Sequence, residues 1–261
     1  MRIVIKIGTS TLTHPSTGHL NIRRVEDLCK VISDIKNAGN EVILVSSGAI
    51  GMGVGKLGLR QRPTDIPTKQ AAAAVGQCEL MYTYDKLFSE YSHTVAQILL
   101  TAEDIQDSRR SVHVHDTLER LLLWGALPVI NENDAVATDE IGIQTTIGEN
   151  DTLSAVVAKL VSADLLILLS DIDGLYTADP RVNADATLIP EVTEITPQLQ
   201  QLAGGAGSGL GSGGMATKLR AAGIVMDAGI DMVIANGEDP ALLYDLFEGK
   251  SVGTRFVGRK D

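Results

Sequence analysis

The sequence predicts an α/β fold, a three-layer αβα sandwich around a mostly parallel sheet, and three observations carry that prediction. Short β-branched apolar runs alternate with stretches whose apolar residues recur at helical spacing. The runs are apolar at nearly every position, as strands buried on both faces must be. Polar and glycine clusters follow directly on them, at Gly8–Ser10, Ser46–Gly48, Asn131–Asp134 and Ser170–Asp171. Open parallel sheets bind ligands beyond the carboxyl ends of their strands, so these clusters share one address.

Taken in order, Arg2 to Ile7 (RIVIKI) reads as a buried strand closed by Gly8. A helix is expected from about Asn21, with Ile22, Val25, Leu28, Cys29, Ile32 and Ile35 on one stripe and Gly39 and Asn40 as its stop. Val42 to Val45 is the second strand, followed at once by SSGAIGMGVG. Pro63 and Pro67 bracket a loop before an Ala-rich helix over about Thr68 to Tyr91. Val95 to Leu100 is the third strand, and Thr101 with Asp104 forms a capping-box pattern. A helix around Ser111 to Leu123 leads to a strand at Leu127 to Ile130. Ile141 to Ile147 alternates and is expected as a small hairpin. Thr152 to Ser162 reads as a buried helix and Leu165 to Leu169 as an apolar strand, with SDIDGLYTADPR as the loop beyond it. Residues 204–214 hold seven glycines in eleven positions. Met215 to Asp227 is then helix, Met232 to Ala235 strand, Pro240 to Phe247 helix and Val252 to Phe256 the last strand.

Thirty-three acidic residues against 22 basic give a net charge of −11 over 261 residues, which speaks against a nucleic-acid partner. A few lysines can still dominate one cleft, so an anionic substrate stays open. Cys29 and Cys78 lie inside helical patterns and are expected as reduced thiols of a cytoplasmic protein. No run approaches the apolar length of a membrane span, and Lys6 interrupts the N-terminal run.

The chemistry centres on Asn131 to Asp151, which carries the tripeptide END twice beside runs that should be buried. Buried amides and carboxylates need partners, so a cluster of them at a strand end suggests a polar pocket. Amides donate to carboxylates and carboxylates accept from ammonium groups, a combination that fits an amino-acid substrate. Turn chemistry is the plainer account, and Asp151 could simply cap the following helix. Asn131 and Asp134 exceed what a single turn needs.

Two cations complete the set. Lys218 ends the glycine-rich stretch at the start of a helix, where free N–H groups and the helix dipole favour a phosphate. The stretch lacks the Gly-Lys of a Walker A loop. It could serve as a Gly/Ser linker, but helix and strand resume at once. Lys6 sits inside an apolar strand and is costly there unless it reaches an anion past Gly8; an edge-strand lysine facing water is the alternative. Ser47 and Gly48 can offer a hydroxyl and backbone N–H groups, or merely cap a helix. Asp171 and Asp173 could orient lysines or touch nucleotide, or be polar loop residues. His113 and His115 are two apart, on different faces of a helix, so no metal site of protein side chains is expected.

Together, VIKIGTS, VSSGAIGMG, VINENDAVAT, GENDTLSA, SDIDGLYTADPR and GLGSGGMATK resemble the amino-acid kinase family, in its order and over Ile3 to about Val257. The resemblance is to the branch that phosphorylates the side-chain carboxylate of glutamate with MgATP, the first step of proline biosynthesis. It implies a single domain over 1–261, the acceptor part roughly 1–165 and the nucleotide part roughly 166–261. Carried over by motif, Lys6 and Lys218 would contact the phosphoryl groups, and Asp151 would hold them in place. Ser47, Gly48, Asp134 and Asn150 would bind glutamate, with Asn131 nearby. Gly8, Ser170, Asp171 and Gly211, Ser212, Gly213, Gly214, Met215, Ala216 and Thr217 would line the nucleotide pocket. ATP and Mg²⁺, L-proline as a feedback inhibitor, and a homo-oligomer (dimer or tetramer) are implied as well. Many members carry a C-terminal PUA domain, a type linked to RNA binding, and none is seen up to Asp261. The hairpin IGIQTTIGEND is a few residues longer than in some relatives.

Other acceptors, N-acetylglutamate, aspartate, carbamate or UMP, define the alternative within the family. A carboxylate at Asp134 suits a free ammonium and disfavours an acetylated one. A non-catalytic amino-acid sensor is the alternative outside catalysis, and it would not need both lysines.

Overall fold

Strand formation starts from residues that bury well on a pleated surface. β1 (Arg2–Ile7) leads, in a computed structural model that describes residues 1–14, 19–137, 150–203 and 214–259. After it come the short α1 (Thr9–Leu12), α2 (Ile22–Asn37), β2 (Glu41–Ser46), α3 (Ala49–Lys56) and α4 (Ile66–Ser89). β3 (Val95–Leu100), α5 (Ala102–Gln106), α6 (Ser108–Leu123) and β4 (Leu127–Glu132) follow. α7 (Asn150–Leu160), β5 (Leu165–Ser170), β6 (Glu191–Val192) and α8 (Pro197–Ala203) precede α9 (Met215–Asp227), β7 (Asp231–Asn236), α10 (Leu242–Phe247) and β8 (Thr254–Phe256).

One eight-stranded sheet has the order β3-β4-β2-β1-β5-β7-β8-β6. Every pairing is parallel except β7 with β8. Side chains alternate across it. Ile3, Ile5 and Ile7 of β1 join an apolar cluster with Leu28 and Ile32 of α2 and Leu80 and Phe88 of α4. Val4, one residue out of phase, joins the opposite cluster with Leu118 of α6, Leu153 of α7 and Leu219 of α9. Helices therefore cover both faces, and Lys6 shares the face of Val4, beneath α7 and α9.

Helix starts follow their caps. Asn21 accepts from Arg24 N ahead of α2, and Asp65 from Thr68 N ahead of α4, two residues earlier than expected from the Ala-rich pattern. The capping box forms, with Thr101 N donating to Asp104 Oδ2 at 2.8 Å. Asp107 caps α6 and moves its start to Ser108. α1, β6 and α8 have too few residues to leave a periodic signature, and the sequence pattern shows none of them. The alternating Ile141–Ile147 and residues 204–213 of the glycine stretch lie outside the described residues. α3 and α4 cross with almost no side chain between them: a Cβ on Gly53 would lie 1.8 Å from Ala72 O, and one on Gly76 1.8 Å from Ala49 O. Among the described residues no helix is long and apolar enough to cross a membrane.

Candidate active site

Parallel register lines up the strand ends. Ile7 pairs with Ser46 on one side and Leu169 on the other, and Leu99 pairs with Asn131. Gly8, Ser47, Asn131 and Ser170 thus stand along one edge of the sheet, with the first residues of α7 above them.

Asn150 and Asp151 open α7. Asp151 is not a cap: it lies inside the first turn, 1 % exposed, where the helix dipole favours its charge. Its Oδ1 is 2.6 Å from Lys6 Nζ and its Oδ2 3.1 Å from Lys218 Nζ. Thr217 Oγ1 lies 3.1 Å from the same Oδ2 and 2.8 Å from Gly214 O. Both lysines are buried as well. Burial pushes the Asp151 carboxyl up, but the ammonium groups of Lys6 and Lys218 outweigh it and hold the carboxyl below its usual range. Asp151 thus bridges two buried lysine side chains that come from different elements, β1 and α9. Lys6 is therefore buried and paired, not an edge lysine facing water.

One residue earlier, Asn150 faces a different group. Its Nδ2 donates to Ser47 Oγ at 2.6 Å and to Asn131 Oδ1 at 3.0 Å. Asn131 in turn donates to Gln77 Oε1 of α4 at 2.9 Å. Ser47 leads into Gly48, whose φ of 111° is left-handed backbone that a side chain would strain, and α3 begins there. Asp134 is half-buried in the turn after β4, and Gln70 Nε2 of α4 donates to Ala137 O at the end of that turn.

At the other end of the edge, Ser170 donates to Asp171 Oδ1 at 3.1 Å, and Gly237 N to Ser170 O at 2.7 Å. Asp173 accepts from Asn236 Nδ2 at 2.8 Å. Gly214, Met215, Ala216, Thr217 and Lys218 are described at the start of α9, whereas Gly211, Ser212 and Gly213 are not among the described residues. Among the described residues no group of three His, Cys, Asp or Glu is arranged to hold a metal, and both Asp151 oxygens are taken up by lysines.

Gln77, Tyr84 and the pair Asn236–Gly237 escaped the sequence reading. A lone Gln on the buried stripe of Ala73 and Leu80 was the available signal for the first. Tyr84, whose hydroxyl meets Ser46 Oγ at 2.8 Å, is indistinguishable from a core aromatic in sequence. The Asn-Gly turn after β7 repeats the strand-end pattern of Gly8 and Gly48.

Residues 1–236 match the family model described as Amino acid kinase family. The chain belongs to the amino acid kinase family. Among curated members it is 55 % identical over 259 residues to a glutamate 5-kinase of Clostridium perfringens, covering 99 % of this chain and 96 % of that one. It is 57 % identical over 254 residues to the glutamate 5-kinase of Clostridium tetani, covering 97 % and 93 %. The glutamate 5-kinase of Carboxydothermus hydrogenoformans is longer: 53 % identity spans 99 % of this chain but 68 % of that one. The fold of this amino acid kinase resembles a UMP kinase from Bacillus anthracis, with a TM-score of 0.65 at 16 % identity, covering 99 % and 96 % of the two chains. It also resembles isopentenyl phosphate kinase of T. acidophilum, at the same TM-score and 19 % identity, covering 98 % and 100 %.

Proposed function

We propose that this chain transfers the γ-phosphoryl group of ATP to the side-chain carboxylate of L-glutamate, giving L-glutamyl 5-phosphate at the head of proline biosynthesis. The observation that carries the reading is the pair Asn150–Asp151. Successive residues face an amide cluster suited to an amino acid and a dilysine cluster suited to phosphate. The names of the relatives agree with it.

Glutamate binds against Ser47, Gly48, Asn131, Asp134 and Asn150, with its ammonium toward the Asp134 carboxylate. ATP lies along Gly8, Ser170, Asp171 and the segment from Gly211 to Lys218. A carboxylate oxygen attacks the γ-phosphorus in line; the bond to the β–γ bridging oxygen breaks, and its electron pair leaves on ADP. The attacking oxygen carries no proton, so no general base is needed. Lys6 and Lys218 neutralise charge on the transferring group, and Asp151 keeps both ammonium groups in place before substrate arrives. Mg²⁺ would supply further charge neutralisation on the phosphates, and among the described residues the donor set suits an ion carried by the nucleotide rather than a protein cage.

In this reading residues 1–165 serve the acceptor and 166–261 the nucleotide, in the cytoplasm. A homo-oligomer belongs to the same reading, favoured by the outer edge of β3, which is unpaired among the described residues. The test is MgATP-dependent formation of a hydroxamate when hydroxylamine traps the product. Faster turnover of N-acetylglutamate or aspartate than of L-glutamate under matched conditions overturns the assignment.

A further inference from the structure

Gln77 is 8 % exposed, on the buried face of α4. A side-chain amide has a donating head and an accepting head, and which one faces a given neighbour is settled by a group that cannot reverse. Here that group is the backbone N–H of Glu132, which donates to Asn131 Oδ1 at 2.9 Å. It turns the nitrogen of Asn131 toward Gln77, so Gln77 must answer with Oε1. Asn131 Oδ1 also accepts from Asn150 Nδ2, and Ser46 O, 3.4 Å from that same nitrogen, holds Asn150 in the same sense.

Two heads are left over. Gln77 Nε2 and Asn150 Oδ1 are both buried, and among the described residues neither has a hydrogen-bond partner. One is a donor, the other an acceptor, and they flank the same amide. Unpaired buried polar atoms are costly, and a pair of opposite kinds in one network calls for a ligand that offers both complements. An α-amino acid carries them on one carbon: an ammonium that donates and a carboxylate that accepts.

We propose that Gln77 is a further acceptor-binding residue, its Nε2 donating to the α-carboxylate of the amino acid while Asn150 Oδ1 accepts from the α-ammonium. The assignment rests on the glutamate reading above. It is the α-carboxylate because the side-chain carboxylate must reach the lysine cluster, from which Gln77 is separated by Asn131 and Asn150. Gln77 thereby discriminates acceptors by the charge on the α-carbon and takes no part in moving the phosphoryl group.

Gln77→Glu separates binding from packing. The replacement keeps an oxygen for Asn131 Nδ2, but its free head becomes an acceptor that repels the α-carboxylate. Steady-state kinetics are compared for L-glutamate and for isoglutamine, the analogue whose α-carboxylate is a carboxamide able to donate. The expected result is a glutamate KM raised about 10- to 100-fold, as loss of a hydrogen bond to a charged group implies. KM for ATP and kcat should stay within about threefold, the pattern of lost uniform binding. The preference for glutamate over isoglutamine should fall at least about tenfold, the equivalent of one such bond. A purely structural lesion would weaken both acceptors alike. Gln77→Met, close in shape and without either head, should lower the same preference, and it carries the comparison if thermal melts show that Gln77→Glu does not fold. An unchanged glutamate KM, or a raised one with unchanged preference, overturns the proposal. If the wild type phosphorylates neither acceptor, the glutamate reading itself has failed.

Discussion

Replacing Asp151 by Asn removes one charge and almost no volume, so it isolates what the carboxylate contributes. The carboxylate is 1 % exposed and bridges Lys6 Nζ at 2.6 Å and Lys218 Nζ at 3.1 Å, both on buried side chains. At an effective dielectric constant of about 20, those separations correspond to gross attractions of ~6 and ~5 kcal/mol. Desolvation of three charges offsets much of that, which is why such clusters add little net stability. The asymmetry appears when one partner is lost, because Lys6 and Lys218 then stay buried without the carboxylate that bridges them, at a cost of about 3–5 kcal/mol. For a chain of this size each kcal/mol moves Tm by roughly 2–4 °C, so ligand-free Asp151→Asn should melt about 6–20 °C below wild type. A nucleotide brings its own negative charge to the same lysines. Its upward shift of Tm should therefore be larger in the variant than in wild type. The sign of the pH dependence follows from the carboxyl, whose pKa is held below its usual range. Its stabilisation is present above the ordinary carboxylate pKa and is lost as pH falls through the lower, folded value. The gap between the two proteins should thus be constant from about pH 6 to about pH 8 and narrow only on acidification below about pH 4. Scanning calorimetry with and without MgATP reads all three. A ligand-free Tm within about 2 °C of wild type would refute the reasoning, since it would mean the lysines do not depend on Asp151.

Two further outcomes are expected. Lys218→Ala should lower kcat by about 10²- to 10³-fold, as loss of one preorganised electrostatic donor does. On the proposed placement of the glutamate ammonium at Asp134, a group that does not change charge during reaction, Asp134→Ala should mainly raise KM for glutamate and leave that for ATP nearly unchanged. Steady-state kinetics with each substrate varied check the contrast, and full kcat in the first variant or an unchanged glutamate KM in the second refutes it. L-Proline should inhibit at the acceptor side, since it resembles cyclised glutamate; activity untouched at tens of millimolar, roughly the weak end of small-ligand binding, excludes this.

Strands were the legible part of the fold because burial on both faces leaves a local mark. RIVIKI and LLILLS are apolar over the length that a strand needs, and both form. Helix starts were legible where a cap supplied them, as at Asn21 and at Thr101 with Asp104, and slipped where Asp65 or Asp107 began the helix ahead of the first apolar periodic residue. The antiparallel turn of β8 against β7 depends on the path of a connecting segment, which no local pattern encodes. Lys6 was legible as a residue in need of a partner because a lysine is expensive in an apolar strand, Lys218 through the glycine stretch before its helix, and Asp151 through the polar END cluster. Their convergence was not, since it requires α7 and α9 to pack side by side on the face that Lys6 shares. Gln77 shows the limit most plainly: one amide in a helix says nothing until the strand opposite it is known.

The placement of Asn150 and Asp151 as neighbours has a mechanical consequence. On a helix, successive residues point about 100° apart, so one turn of α7 presents an amide to Ser47 and Asn131 and a carboxylate to the lysines. Neither group can shift without the other while α7 stays rigid. The helix is anchored by Leu153, Ala155, Val157 and Ala158, all buried against the sheet and α9. In the proposed reading, acceptor and phosphate sites are thereby held at a fixed separation by backbone rather than by flexible side chains. In-line attack needs that constraint, because a displacement of about 1 Å between attacking oxygen and phosphorus costs on the order of 10²-fold in rate.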